Sequence, residues 1–169
     1  MQKFILVDIK YELAVAWSNE FSKYENFEIH GSASIFDYCG DALVSPANSF
    51  GFMDGGIDLV YSRNMGWDIE RRLQEKIRNE FDGELLVGQA TSVETNCAKF
   101  PILISAPTMR VPAILKETPN VYLAAKAIFL FAKKNPHLET IVCPGLGTGC
   151  GMVAPEDCAL RMRMAYEDF

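Results

Sequence analysis

The sequence has little that would mark a metal protein, a secreted protein or a membrane protein. It holds two histidines, His30 and His137, far apart and without a cysteine or histidine at ligand spacing, so no metal and no cofactor are expected. The five cysteines (Cys39, Cys97, Cys143, Cys150 and Cys158) are odd in number and never fall as CxxC. No apolar stretch approaches the ~20 residues needed to cross a bilayer. Met1-Gln2-Lys3 leads straight into a short apolar run ending at Asp8, not into a secretory signal. Free thiols in a reducing cytoplasm, with no membrane partner, are the expectation. Positive charge is scarce too: 16 Lys and Arg against 22 Asp and Glu leave a net charge of −6. That balance argues against a nucleic-acid surface, which carries a basic stripe. An anionic ligand would have to be held locally by backbone N–H groups and helix N-termini, because bulk charge opposes it.

What is present suits one domain over residues 1–169, since hydrophobic residues make up 49% and charged residues 22% of the chain. A chain of this length buries roughly 70% of its unfolded surface, enough to fold without staples. Apolar runs alternate with helical patterns almost throughout. Lys3–Asp8 reads as a buried strand, and Tyr11–Phe21 as a helix with Leu13, Ala16, Trp17 and Phe21 on one face. Strands are expected at Phe27–His30, Ala42–Ser45, Leu85–Val87, Ile102–Ser105 and Thr140–Cys143. Helical signals run from about Asp58 to Phe81, broken near Met65-Gly66, then over 120–134 with Asn120 as candidate N-cap, and over Pro155–Tyr166. Pro155 fits a first helical turn, with Glu156 and Asp157 at its positive end. Strands alternating with helices imply an α/β fold with a largely parallel, helix-covered sheet.

Two loops follow strand ends, where open α/β sheets bind ligands. The first runs from Ser45 to Asp58. Gly55 and Gly56 permit close approach of the backbone to a ligand, and Asn48 both donates and accepts hydrogen bonds, as recognition of a sugar hydroxyl requires. The plainer reading is a loop whose Asn and Gly only make turns. The second, Pro144-Gly145-Leu146-Gly147-Thr148-Gly149-Cys150-Gly151-Met152, has alternating glycines between a buried strand and a helix, an anion-cradle pattern. No Lys-Ser/Thr follows, so it is not a P-loop. Cys150 stands where a dinucleotide fingerprint needs its third glycine.

Asp8-Ile9 after the first strand, then Ala47-Asn48, then Gly55-Gly56-Ile57-Asp58, then Pro144 to Gly149 resemble, in order and spacing, the macrodomain family. The resemblance spans roughly residues 3–166. It implies a three-layer α/β/α fold with a mixed, mostly parallel sheet, and binding of ADP-ribose, free or attached to a protein or small molecule. By that resemblance Asp8 meets the adenine amino group with Ile9 beside it, and Ala47 and Asn48 face the distal ribose. Gly55, Gly56 and Ile57 lie against diphosphate and ribose, while Gly145, Gly147, Thr148, Gly149, Cys150 and Gly151 wrap the phosphates. Hydrolytic members carry an aspartate at the position of Asp58, proposed to help activate a water. Hydrolysis at C1″ of the distal ribose would then rest on Asp58, Asn48 and, as a second carboxylate, Asp54. On the residues alone, Asp8 can equally terminate its strand, and Asp58 can be a helix N-cap.

The chain also departs from the family pattern. Ser45 and Pro46 replace the first positions of the asparagine loop, and Asp54 replaces the first glycine of the triple. Gly151 and Met152 stand where an aromatic commonly stacks on the ribose; Phe50 or Phe52 can substitute, or anchor the loop. These differences leave open a non-catalytic reader, or a changed nucleotide or NAD-derived ligand. Arg110 is a candidate phosphate contact or a surface arginine, and Trp67 is core or pocket lining. Trp17 is core, and Cys150 is a weak candidate nucleophile without an identifiable base.

Overall fold

The computed structural model describes all 169 residues. Six strands form one sheet: β1 (Lys3–Val7), β2 (Phe27–His30), β3 (Ala42–Ser45), β4 (Thr91–Glu94), β5 (Ile102–Ser105) and β6 (Thr140–Cys143). Their order is β2-β1-β6-β3-β5-β4. Every pairing is parallel except β4 with β5. Five helices accompany them: α1 (Tyr11–Phe21), α2 (Gly56–Met65), α3 (Asp68–Glu80), α4 (Asn120–Lys134) and α5 (Pro155–Asp168).

The apolar runs of the strands cover both sheet faces, because successive side chains point to opposite sides. Phe4 and Leu6 of β1 join Val44, Ile104 and Ile141 in one core with α1, α4 and α5. Ile5 and Val7 join Leu43, Leu103 and Val142 in a second core, covered by Tyr61 of α2 and by Ile69, Leu73 and Ile77 of α3. The layers are therefore α/β/α. Trp17 is fully buried in the first core, and its Nε1 lies 3.3 Å from Met162 Sδ.

Two expectations are corrected. Leu85–Val87 is not a strand. Leu85 is buried, but Leu86 is half exposed and accepts from Gln89 N in a turn that Gly88 closes at φ +99°. The strand of this region is β4, whose polar sequence TSVE suits an edge with one open side. Asn120 is the first helical residue of α4, not its cap; Pro119 holds the cap position without a side-chain bond. The break near Gly66 is real: Gly66 has φ +95° and ends α2 before α3 begins at Asp68.

This topology brings the carboxyl ends of β1, β6, β3 and β5 side by side at one end of the sheet. Residues distant in sequence meet there.

Candidate functional site

A pocket of about 650 Å³ opens at that end. It is lined by Asp8, Ile9, Ala47, Asn48, Asp54, Gly55, Gly56, Ile57, Asp58, Gly145, Gly147, Thr148, Gly149, Cys150 and Gly151, so the two loops and the end of β1 meet around one pocket.

The glycine loop is shaped by packing. A β-carbon at Gly145 would stand 2.5 Å from Leu13 Cδ2 and 2.9 Å from Asp8 Oδ2. At Gly147, φ is +71° and a β-carbon would meet Val121 at 2.9 Å; at Gly151 it would meet the Gly147 carbonyl at 2.6 Å. Gly147 is held by its φ and Gly151 by the neighbouring backbone, while a side chain at 145 would have to displace the ends of Leu13, Thr148 and Asp8. At Gly149 nothing lies within 4 Å, which makes it the open lip of the loop. Val153 N donates to Gly147 O and Met152 N to Gly149 O, so the carbonyls turn back into the chain. The amides of Gly147, Thr148, Gly149, Cys150 and Gly151 donate to no group of the protein. A run of unpartnered amides beside a pocket is what an anion requires.

Asp8 serves the fold and the pocket together. Its Oδ1 accepts from Lys10 N at 2.9 Å and its Oδ2 from Gly145 N at 3.1 Å, which fastens the end of β1 to the glycine loop. Each carboxylate oxygen keeps a lone pair for a donor in the pocket.

The 45–58 loop is shaped by polar bonds instead. Asn48 Oδ1 accepts from Phe50 N and Phe52 N, and its Nδ2 donates to Phe52 O at 2.8 Å. The asparagine is thus mainly the scaffold of its own loop, and a single amide N–H remains for a ligand. Met53 N donates to Glu70 Oε2, and Ser62 Oγ to Met53 O. Gly55 is the cap residue of α2 and Asp58 lies in the first turn, so Asp58 is not an N-cap. It is buried, 6% exposed, and Ser45 Oγ donates to its Oδ1 at 2.5 Å. Burial pushes its carboxyl from 3.8 up to about 7, against the lowering effect of the Ser45 hydrogen bond. Ser45, off the family pattern, is thus the one polar side chain bonded to the buried acid. Asp54 stands exposed at the rim with no bonded partner.

Several sequence candidates lie elsewhere. Arg110 Nε donates to Glu84 Oε1 at 2.6 Å and its guanidinium covers the Phe50 ring at 5.0 Å, so both residues brace the outside of the loop. Trp67 is half exposed and, like Met152, outside the pocket lining, whereas Phe52 reaches the pocket rim. His30 is paired with Glu28 at 2.5 Å. The structure adds Lys10, Ser34, Thr108 and Met109 to the wall. Thr108 is held by Ala47 O and Pro46 O, and Met109 bridges to Asn48. Their only signal in the sequence is that each follows shortly after a strand.

The macro domain family model matches residues 44–162. The chain belongs to the macro domain family. That family is known for ADP-ribose binding. An "uncharacterized protein" of Aquifex aeolicus (strain VF5) is 36% identical over 129 residues, covering 76% of this chain and 74% of that protein. A second relative, from Aeropyrum pernix, is 28% identical, and the match covers 74% of this chain and 62% of its length. Among solved structures, the macrodomain of Mycobacterium tuberculosis DarG superposes with a TM-score of 0.68 at 22% identity, over 82% of this chain and 88% of that one. A mutant Oceanobacillus iheyensis macrodomain with ADPR superposes with a TM-score of 0.68 at 18% identity, over 98% and 76% of the two chains. At these identities the structures show a shared fold.

Proposed function

We propose that this macrodomain binds ADP-ribose in the pocket between its two loops and hydrolyses the ADP-ribosyl bond at C1″ of the distal ribose, in a reducing cytoplasm. The observation that carries the binding half is the run of amides from Gly147 to Gly151, unpartnered inside the protein and lining a pocket of about 650 Å³. Pockets of ~300–1,000 Å³ accommodate ligands of this size. Asp8, after β1, has acceptor capacity for an adenine amino group, and the Gly55–Ile57 segment lines the same pocket.

Hydrolysis needs a water placed against C1″ and a group that takes its proton as the bond to the leaving group breaks. Asp58 is suited to that exchange, because its raised pKa of about 7 lets it accept a proton near neutral pH. Ser45 aims the carboxyl by holding one oxygen, which leaves the other for water. Asn48 offers one N–H toward the ribose, and Asp54 is a second carboxylate at the rim.

The same burial of Asp58 favours a second reading, a binder without turnover, since the acid is 6% exposed and tied to Ser45. Two measurements separate these. Calorimetry should give tighter binding of ADP-ribose than of AMP by a factor of ten or more, roughly what one or two extra charge-assisted hydrogen bonds supply. Equal affinity removes the central reading. Incubation with mono-ADP-ribosylated protein and with ADP-ribose 1″-phosphate should release ADP-ribose from at least one. Release from neither establishes the reader.

A further inference from the structure

Lys10 is the only cation on a pocket wall that carries three carboxylates, Asp8, Asp54 and Asp58. Its Nζ donates to the carbonyl of Thr148 at 2.7 Å, reaching from the corner after β1 to the middle of the glycine loop. The peptide unit it grips joins Thr148 to Gly149. No other group of the protein bonds either end of that unit, and a β-carbon at Gly149 would touch nothing within 4 Å. The loop packs closely at Gly145, Gly147 and Gly151, whereas Gly149 faces open space. A peptide whose only bonded partner is Lys10, with glycine following it, can reorient when that bond is removed.

We infer that Lys10 determines specificity for the diphosphate of the ligand, by orienting the Thr148–Gly149 peptide and by adding the one positive charge of the pocket. The peptide bonds of the chain are trans, so C=O and N–H of one unit point in opposite directions. Holding the Thr148 oxygen therefore turns the Gly149 N–H away from Lys10. The ammonium also polarises that peptide, which strengthens the N–H as a donor to an anion. Lys10 contributes in proportion to the ligand's negative charge and nothing to a neutral ligand. Its role is that of a positioning residue acting through Gly149, and it rests on the pocket being a diphosphate site, as proposed above.

The test is a ligand series on the whole chain. Affinities of the wild type, Lys10→Met and Lys10→Arg are measured by calorimetry for adenosine, ADP and ADP-ribose, at low and high salt. Lys10→Met should weaken ADP and ADP-ribose roughly tenfold, the scale of one charge-assisted hydrogen bond. Adenosine should stay within about twofold, because it carries no charge for Lys10 to meet. Lys10→Arg should restore most of the loss, and the gap between the wild type and Lys10→Met should narrow at high salt. No loss in Lys10→Met, an equal loss for all three ligands, or no rescue by Arg each overturns the inference. A wild type that binds ADP as tightly as ADP-ribose overturns the ADP-ribose reading but leaves Lys10 standing. A wild type that binds neither removes both.

Discussion

The two loops that close over the pocket are built by different physics. The 144–152 loop is held by close packing: glycines at 145, 147 and 151 sit against Leu13, Val121 and the loop's own backbone, and the amides stay unengaged. The 45–58 loop is held by side-chain hydrogen bonds from Asn48, Glu70, Ser62 and Ser45. A packed loop presents backbone donors, here steadied by Asp8 and Lys10 from outside it, so it suits a group common to many nucleotides. A loop organised by side chains can be retuned by substitution. Chemistry and selectivity for the distal part of the ligand are therefore expected in the 45–58 loop, and the anion site in the 144–152 loop.

The sharpest way to break this division is Gly149→Glu. The position has open space, so the fold should be kept with a melting temperature within about 2 °C. The new carboxylate meets the phosphate, and ADP-ribose affinity should fall at least roughly a hundredfold, the scale of removing two good polar contacts and adding repulsion. Unchanged affinity in calorimetry would move the site elsewhere. At the 45–58 loop, Asp58→Asn should cut turnover by roughly a hundredfold or more, the ordinary contribution of a general base. Affinity should change less than about threefold, and a parallel loss of binding would show that Asp58 serves the ligand and not the water.

Asp58 also ties stability to pH. Its carboxyl titrates near 3.8 unfolded and about 7 folded, so the folded state holds the proton more tightly. The associated stability is fully present below about pH 3.8, is lost as pH rises through about 7, and levels off above it; its full size is on the order of a few kcal/mol. Denaturant unfolding at pH 5 and pH 8 should show the wild type losing stability over that interval and Asp58→Asn losing much less. Turnover should run the other way, rising through about pH 7 as the base deprotonates. Asn48→Ala should then cost about 1–2 kcal/mol of stability, since it leaves two backbone amides and a carbonyl of the loop without partners. The smallest effect belongs to Arg110→Ala: it removes an exposed pair with Glu84 and should change ADP-ribose affinity less than twofold.

Much of this organisation is written locally. Short continuous apolar runs such as KFILV and ALVS read as strands buried on both faces, and both are. The glycine loop is legible because alternating glycines between a strand and Pro155 leave few other structures. What resisted reading is what depends on neighbours. β4 is short, polar and antiparallel at an edge, so its strand character comes from pairing with β5 and not from its own pattern. Asn48 as the scaffold of its loop, Arg110 turned outward to Glu84 and Lys10 reaching Thr148 are all choices between several partners of equal chemistry. Sequence spacing cannot rank such partners.

By itself the sequence determined the α/β alternation, the two loops and the family to which the chain belongs, because periodicity, glycine placement and apolar runs act within a few residues. Only the tertiary structure decided which groups are free. The 147–151 amides are left unpartnered in a loop packed against Leu13, Val121 and Leu115, and burial of Asp58 lifts it to about 7 against the lowering effect of Ser45. Burial and hydrogen-bond saturation are properties of the assembled environment, and no single segment carries them.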